Sequence, residues 1–286
     1  MPQRITGHTE LIGLIANPIR HSKSPMMHNT AFEALGLDYA YLVFEVGPEQ
    51  LPDAVRGLKA LGVRGFNVSM PNKGPIIQYL DDILPAARLC QAVNTVVNDN
   101  GRLIGTNTDG LGFMMACQDN QMQVIGKKIT IMGAGGAATA ITMQAALDGV
   151  SEISIFNRDD TFYDKALRNA EKVNSQTLCK AKVYRLEDRE ALKREIDASV
   201  MLINATSAGF ADQKELCPIP DADLLRPNLM VADVIYMPEE TPFLAMAKAC
   251  GCRYMNGIGM MLYQGAAAFK MWTGKDMPVD AVKEVI

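Results

Sequence analysis

The chain has 286 residues, enough for two domains of ordinary size. With 48% hydrophobic and 21% charged residues it is a globular chain, and disorder is excluded. The formal charge is −4, and Lys and Arg are spread along the sequence, so no basic stripe asks for nucleic acid and no nucleic-acid partner is expected.

No apolar run reaches the length of a membrane span, and MPQRITGHTE at the start lacks a signal-peptide stretch, so a cytoplasmic protein without a membrane partner is expected. The six cysteines are scattered, and only Cys250 and Cys252 lie close together. Reduced thiols are expected, with no metal site and no disulfide framework.

In chain order, ELIGLIA (10–16) reads as a buried strand. Ser24-Pro25 then opens a helix, with Ser24 at the N-cap and Pro25 at the first helical position; the helix runs through Ala34 and Gly36 stops it. YAYLVFEV (39–46) is a strand. Leu51, Val55, Leu58 and Leu61 fall on one helical face, and GFNVS (65–69) is a third strand. VNTVVN and RLIGTN flank Asp99-Asn100-Gly101, a hairpin signal. This part is expected to form an α/β domain with a largely parallel sheet.

From residue 111 the pattern changes. A helix (111–121) leads to KITIM (128–132), a glycine turn, a helix (137–148), EISIFN (152–157), a helix (161–174) and KVYRL (182–186). A helix (188–198), VMLINAT (200–206), a proline-bearing loop, LMVADVIY (229–236) and a helix (242–250) follow, and RYMNG (253–257) ends the run. The alternation predicts a doubly wound sheet of five strands, a Rossmann domain over 111–257. Two tail helices, 259–272 and one begun by Pro278, are expected to return to the first domain and complete residues 1–110 with 258–286. The fold class is thus two α/β domains, with a cleft expected between them and hinges near Gly110 and Gly257.

Residues 130–139, TIMGAGGAAT, set Gly133, Gly135 and Gly136 between a strand and a helix. In that context a pyrophosphate can approach the backbone and meet the N–H groups of the helix N-terminus. Ala138 stands where a third glycine is usual. The second strand ends Asn157-Arg158-Asp159-Asp160. Carboxylates there suit the free hydroxyls of NAD and repel the 2′-phosphate of NADP, whereas Arg158 can pair with a phosphate. The expectation is NAD, with NADP tolerated. The alternative reading is that an aspartate only caps the helix beginning near Thr161.

Outside this region, Ser22-Lys23-Ser24-Pro25 puts two hydroxyls at a helix N-terminus, a cradle for a carboxylate. Asn67-Val68-Ser69-Met70-Pro71-Asn72-Lys73 follows a strand and ends in a lysine within an uncharged stretch. Ala92-Val93-Asn94-Thr95 and Asn107-Thr108-Asp109-Gly110 add polar groups in turns and at the domain crossing. Taken singly, these read equally as a cap, a surface lysine and turn chemistry.

Together they resemble the shikimate dehydrogenase family over nearly the whole chain. The matching stretches, in order, are NPIRHSKSP, GFNVSMPNK, AVNTVVND, NTDG, GAGGAA, FNRDD, NATSAG, DVIYMP and GMMLYQGA. The form MPNK, the FNR-x-D strand end and the helix that follows (TFYDKAL) resemble the quinate/shikimate dehydrogenase branch. The resemblance implies reversible reduction of 3-dehydroshikimate to shikimate on the route to aromatic amino acids. Quinate or an aminated shikimate analogue is the alternative substrate, and a non-catalytic metabolite sensor the alternative class.

Carried onto this sequence, the resemblance makes Lys73 and Asp109 the catalytic pair. Ser22 and Ser24 hold the substrate carboxylate. Ser69, Asn94, Asp109 and Gln264 hold the ring hydroxyls, with Tyr236 nearby. Ala134, Gly135, Gly136 and Ala137 meet the pyrophosphate; Asn157, Arg158 and Asp160 meet the adenosine. Thr206, Ser207, Val234 and Gly257 line the path to the nicotinamide. Ser69 stands where many members have Thr, Ser207 where some quinate-using members have Lys, and Met237 where Asn is common. The implied state is a monomer or homodimer with a small-molecule substrate. The chemistry fits these residue types, because hydride transfer at a carbinol carbon needs a group that moves the hydroxyl proton.

Overall fold

The structure, a computed structural model, describes residues 5–286. In chain order the elements are β1 (Glu10–Ala16), α1 (Ser24–Ala34), β2 (Tyr39–Glu45), α2 (Leu51–Ala60), β3 (Gly65–Val68), β4 (Asp82–Ile83), α3 (Pro85–Cys90), β5 (Thr95–Asp99), β6 (Arg102–Thr106) and α4 (Asp109–Asp119). They continue as β7 (Lys128–Met132), α5 (Gly136–Leu147), β8 (Glu152–Asn157), α6 (Tyr163–Gln176), β9 (Lys180–Arg185), α7 (Arg189–Asp197), β10 (Met201–Asn204), β11 (Met230–Asp233), α8 (Pro242–Ala249), β12 (Arg253–Met255), α9 (Ile258–Thr273) and α10 (Val279–Lys283). Two compact units result. One runs to Thr108 and resumes at Gln264–Ile286; the other is Asp109–Tyr263. α9 therefore contributes its first residues to one unit and its remainder to the other, where the sequence reading placed the boundary at 257/258.

The first unit carries a six-stranded sheet in the order β2-β1-β3-β5-β6-β4. The sheet is largely parallel, as expected, with one reversed strand: β5 runs antiparallel to both β3 and β6. The β5–β6 reversal comes from the hairpin at residues 99–101, where Asn100 and Gly101 both take positive φ (52° and 89°), the geometry a two-residue turn between antiparallel strands needs. In α2, Leu51, Val55 and Leu58 are buried against the sheet. Leu61 is 78% exposed, because the helix ends at Ala60 before that face comes round again. The N-cap of α1 is Lys23, not Ser24, which lies inside the helix. Residues 75–90, unassigned from sequence, form a 3-10 turn, β4 and α3.

The chain's tail closes this unit. Trp272 is fully buried, and its indole N–H donates to the Val96 carbonyl at 3.0 Å. Gly65 must be glycine, since a Cβ there would run into the Trp272 ring. The ring of His28 stacks on Tyr41 at 4.5 Å between centroids, with Phe269 and Trp272 alongside.

The second unit has the order β12-β11-β10-β7-β8-β9, with every pair parallel. That is six strands rather than five, one for each of the six segments named from KITIM to RYMNG, with RYMNG as β12. β7 is the point at which the winding reverses direction. Gly110 and Gly257, expected as hinges, are close-packing positions. A Cβ on Gly110 would strike the Ala140 carbonyl of α5, and one on Gly257 the Val234 carbonyl.

A buried charge holds α7 against this sheet. Glu195 accepts from Lys128 Nζ at 2.5 Å, Ser154 Oγ at 2.8 Å and Arg194 Nε at 3.0 Å, with its side chain 7% exposed. Burial pushes the carboxyl up, and the three bonds outweigh it and hold it down at about 2. A carboxylate depressed in the folded state binds fewer protons there than in the unfolded chain. Its stabilisation is therefore complete above the unfolded value of about 4.3 and is lost as pH falls through the folded one. Glu195→Gln is expected to lower the melting temperature at pH 7, and the difference from wild type should close between about pH 4 and pH 2; thermal melts across that range check it.

Candidate active site

In the first unit β1 and β3 are parallel, so their carboxyl ends lie side by side, and antiparallel β5 brings its amino end to the same edge. Ser69 leaves β3 with its N–H on the Ile15 carbonyl at 3.1 Å. Its own carbonyl accepts from Asn72 at 2.9 Å, which closes the turn that presents Lys73. The Lys73 carbonyl then accepts from Val93 N–H at 2.8 Å and seats the lysine beside Asn94. Ser69, Lys73 and Asn94 are thereby gathered by backbone bonds alone.

Asn94 is 3% exposed; its Nδ2 donates to Thr108 Oγ1 at 3.0 Å and its Oδ1 accepts from Thr108 N–H at 2.8 Å. Asn67, named in sequence only as part of a motif, supports it. Asn67 Nδ2 donates to the Asn94 carbonyl and to Thr95 Oγ1, both at 3.0 Å, and Oδ1 accepts from the Tyr41 hydroxyl at 2.7 Å. Ser22 and Ser24 sit at the start of α1, where Ser22 Oγ accepts from Ser24 N–H at 3.2 Å. Gln264 is half-buried on α9, next to Gly265, whose missing side chain makes room for Met27 of α1. Asp109 and Tyr236 belong to the second unit: Asp109 is half-buried as the first residue of α4, and Tyr236 is exposed on the loop after β11.

In the second unit a cavity of about 290 Å³ opens beside the glycine turn, at the small end for a ligand pocket. Ala134, Gly135, Asn157, Arg158, Asp160, Thr206 and Ser207 all line it. Gly136, Ala137, Val234 and Gly257 do not; the first two open α5, and the other two pack on each other. Sequence reasoning missed Phe162, Leu186, Gln213 and Pro218 in the lining. The signal for Phe162 was its place two residues past the strand-end aspartates.

The cavity fits a dinucleotide. α5 begins with Gly135 at its N-cap and no side chain bonded there, so its first N–H groups have no side-chain acceptor. Nothing lies within 4 Å of where a Cβ would project from Gly135 or Gly136, a cradle that a side chain would fill. The two aspartates separate in role. Asp159 pairs with Arg185 at 2.6 Å on the surface. Asp160 Oδ1 accepts from Phe162 N–H at 2.8 Å and from Asn157 Nδ2 at 2.9 Å, shaping the turn before α6 while it lines the cavity. Of the six cysteines all are free thiols, and no group of His, Cys, Asp and Glu able to hold a metal occurs among the described residues. No helix among them is long and apolar enough to cross a membrane.

A doubly wound unit with a glycine-turn cavity, joined to a second α/β unit with a lysine-bearing polar edge, defines an oxidoreductase of the dinucleotide-binding class. Comparison with known proteins gives its kind. Residues 14–96 match the shikimate dehydrogenase substrate binding domain, and residues 257–286 match the shikimate 5'-dehydrogenase C-terminal domain. The chain is 58% identical to a shikimate dehydrogenase (NADP(+)) of Listeria monocytogenes over 99% of this chain and 98% of that protein. It superimposes on the crystal structure of shikimate 5-dehydrogenase from Listeria monocytogenes in complex with shikimate and NAD with a TM-score of 0.98, at 58% identity over 100% of this chain and 99% of that one. It also superimposes on quinate dehydrogenase from Corynebacterium glutamicum in complex with NAD, with a TM-score of 0.87 at 27% identity, over 97% of this chain and 98% of that one. This chain belongs to the shikimate dehydrogenase family.

The glycine turn gives a direct test. Gly133 has φ of 105°, and a Cβ there would lie 2.7 Å from the Ala205 carbonyl. Gly133→Ala should lower the melting temperature by several degrees and weaken dinucleotide binding. Gly136→Ala should keep the melting temperature and weaken binding alone. Thermal melts with fluorescence titration of NADH and NADPH distinguish the two effects.

Proposed function

We propose that this chain catalyses reversible hydride transfer between shikimate and 3-dehydroshikimate, and that Lys73 is its proton-transfer residue. The observation that carries the reading is the junction of Lys73 and Asn94 through the Val93–Lys73 backbone bond, on an edge that also carries Ser69. Hydroxyl and amide groups there match a ring bearing several hydroxyls, and a pocket built to bond hydroxyls rejects analogues that lack them. Ser22 and Ser24 at the α1 N-terminus take the carboxylate, and Gln264 and Tyr236 add polar contacts to the ring.

A nicotinamide dinucleotide, when bound, supplies the two-electron acceptor or donor. The chain's residues handle the proton. In the oxidation direction the substrate hydroxyl gives its proton to Lys73 as the carbinol C–H bond gives up its electron pair. In reduction the Lys73 ammonium protonates the forming alkoxide and stabilises its negative charge. Asp109 accepts from the substrate hydroxyl and orients it. Gly135, Gly136 and Ala137 leave the α5 N-terminus open to the pyrophosphate. Asn157, Arg158 and Asp160 hold the adenosine end, with Thr206, Ser207, Val234 and Gly257 toward the nicotinamide.

We propose NAD as the preferred cofactor, with NADP accepted, because the Asp160 carboxylate lines the cavity where a 2′-phosphate would add charge. The Listeria relatives carry both names, NADP(+) for one and NAD in the crystal complex of the other. Asp160→Ser is expected to shift the NADPH-to-NADH affinity ratio toward NADPH by about tenfold. Fluorescence titration with each reduced dinucleotide checks it, and an unchanged ratio removes Asp160 from cofactor choice.

Lys73→Ala is expected to lower kcat for shikimate oxidation by roughly two to four powers of ten while leaving dinucleotide affinity within about twofold. Steady-state kinetics with a parallel NADH titration measure both. Near-normal turnover in a folded variant removes the lysine from the mechanism.

A further inference from the structure

The loops that end β10 and β11 are tied together by two buried side chains that no step of the chemistry uses. Asn204 and Asp233 are register partners at the carboxyl ends of these parallel strands, 0% and 1% exposed. Asn204 Oδ1 accepts from Thr206 N–H at 3.1 Å and from Thr206 Oγ1 at 2.7 Å. Its Nδ2 donates to the Ala208 carbonyl at 3.0 Å and to Asp233 Oδ1 at 3.1 Å. Both amide protons and both lone-pair directions are thereby used. The amide cannot be turned over, since the Ala208 carbonyl needs a donor and the Thr206 N–H an acceptor. Asp233 takes two further donors, Ile235 N–H at 3.0 Å and Thr241 Oγ1 at 2.7 Å. Thr241 in turn caps α8 by accepting from Leu244 N–H at 3.3 Å.

This pair reaches the residues on the nicotinamide side of the proposed site. Ala205, Thr206, Ser207 and Ala208 line the cavity, and they are the loop that Asn204 folds around its own side chain. On the other side, the Val234 N–H bonds the Asn204 carbonyl at 3.0 Å, and Gly257 N–H bonds the Ile235 carbonyl at 2.9 Å. Removing the shared carboxylate would leave Asn204 Nδ2, Ile235 N–H and Thr241 Oγ1 short of an acceptor in a dry interior. The loop would then have to move to find water.

We infer that Asn204 and Asp233 are positioning residues that fix the 205–209 loop, and with it Thr206 and Ser207, in the geometry that binds the dinucleotide. The inference rests on the reading of the cavity as the dinucleotide site. Asp233 touches neither substrate nor cofactor; it acts through Asn204 and Thr241. Asp233→Asn is the conservative replacement. Its oxygen can keep the Asn204 and Ile235 donors, and its amide can donate to Thr241 Oγ1, whose own hydroxyl proton then loses its acceptor, so the rescue is partial.

The test is steady-state kinetics and NADH fluorescence titration on Asp233→Ala, Asp233→Asn and Thr241→Val, with Arg158→Ala as the control on the cavity itself. Asp233→Ala should raise the dinucleotide Kd and KM by about tenfold or more and leave the shikimate KM within about twofold. Asp233→Asn should bring the dinucleotide values back to within about threefold of wild type. Thr241→Val, which removes one bond and carries the test if Asp233→Ala does not fold, should raise them about two- to fivefold. A role confined to stability would lower melting temperatures and leave the dinucleotide KM of the folded variants unchanged. That result, with Arg158→Ala still weakening binding, overturns the inference and leaves the cavity reading standing. Wild-type affinity in Arg158→Ala as well overturns both.

Discussion

The parallel pairing of β7 with β10 is the constraint on which the second unit's chemistry depends. Chain direction reverses its winding there, with β8 and β9 leaving to one side and β10, β11 and β12 to the other. Helices that cross over on opposite faces leave the carboxyl ends of the two central strands without a covering connection, and a ligand crevice opens at that point. Gly133 marks how tight the junction is: its backbone approaches the Ala205 carbonyl closely enough that only glycine fits, and its positive φ turns the chain into α5. From that single approach follow the bare N-terminus of α5, the cavity lined from both loops, and the need for a buried anchor beneath residues 205–209.

The first unit solves a different problem with a mixed sheet. β5 runs antiparallel to β3, so the amino end of β5 meets the carboxyl ends of β1 and β3, and a hairpin with two left-handed residues then returns the chain as β6. Ser69, Lys73 and Asn94, separated in sequence, are joined there by backbone bonds that any side chains would permit. The buried Asn67 then ties Tyr41, Asn94 and Thr95 into one polar layer under that edge. The tail completes the unit through Trp272, whose indole fills the space left by Gly65 and bonds Val96. Polar side chains at the edge are thus held by a hydrogen-bonded layer beneath them, which is how a site keeps its geometry without substrate.

Much of this was legible in the residues. KITIM, EISIFN and ELIGLIA are uninterrupted apolar runs, and their strands begin and end where the sequence indicates. The glycine turn and the strand-end residues Asn157, Arg158 and Asp160 were readable because their chemistry is local, and the cavity gathers them. What escaped was set by tertiary contacts. β4 and α3 are short segments stabilised by neighbours, with too few residues to show a period. Gly110 and Gly257 look like hinges in one dimension and are close-packing positions in three. Leu186 and Gln213 reach the cavity from loops far along the chain, which no spacing rule encodes. The Asn204–Asp233 pair was equally hidden: each residue sits in a recognisable motif, and only the strand register makes them partners.

The family, the glycine-turn cavity and the lysine-bearing edge converge on one reaction, and that reaction is directly measurable. The decisive assay follows reduced dinucleotide formed from NAD+ and from NADP+ by the purified full chain, with shikimate and quinate supplied side by side. The account predicts shikimate-dependent turnover with either dinucleotide, and a higher kcat/KM for shikimate than for quinate. Turnover with quinate but not shikimate would contradict the assigned substrate. Absence of turnover with both, in a chain that still binds NADH, would contradict the assignment of Lys73 and its neighbours as a catalytic edge.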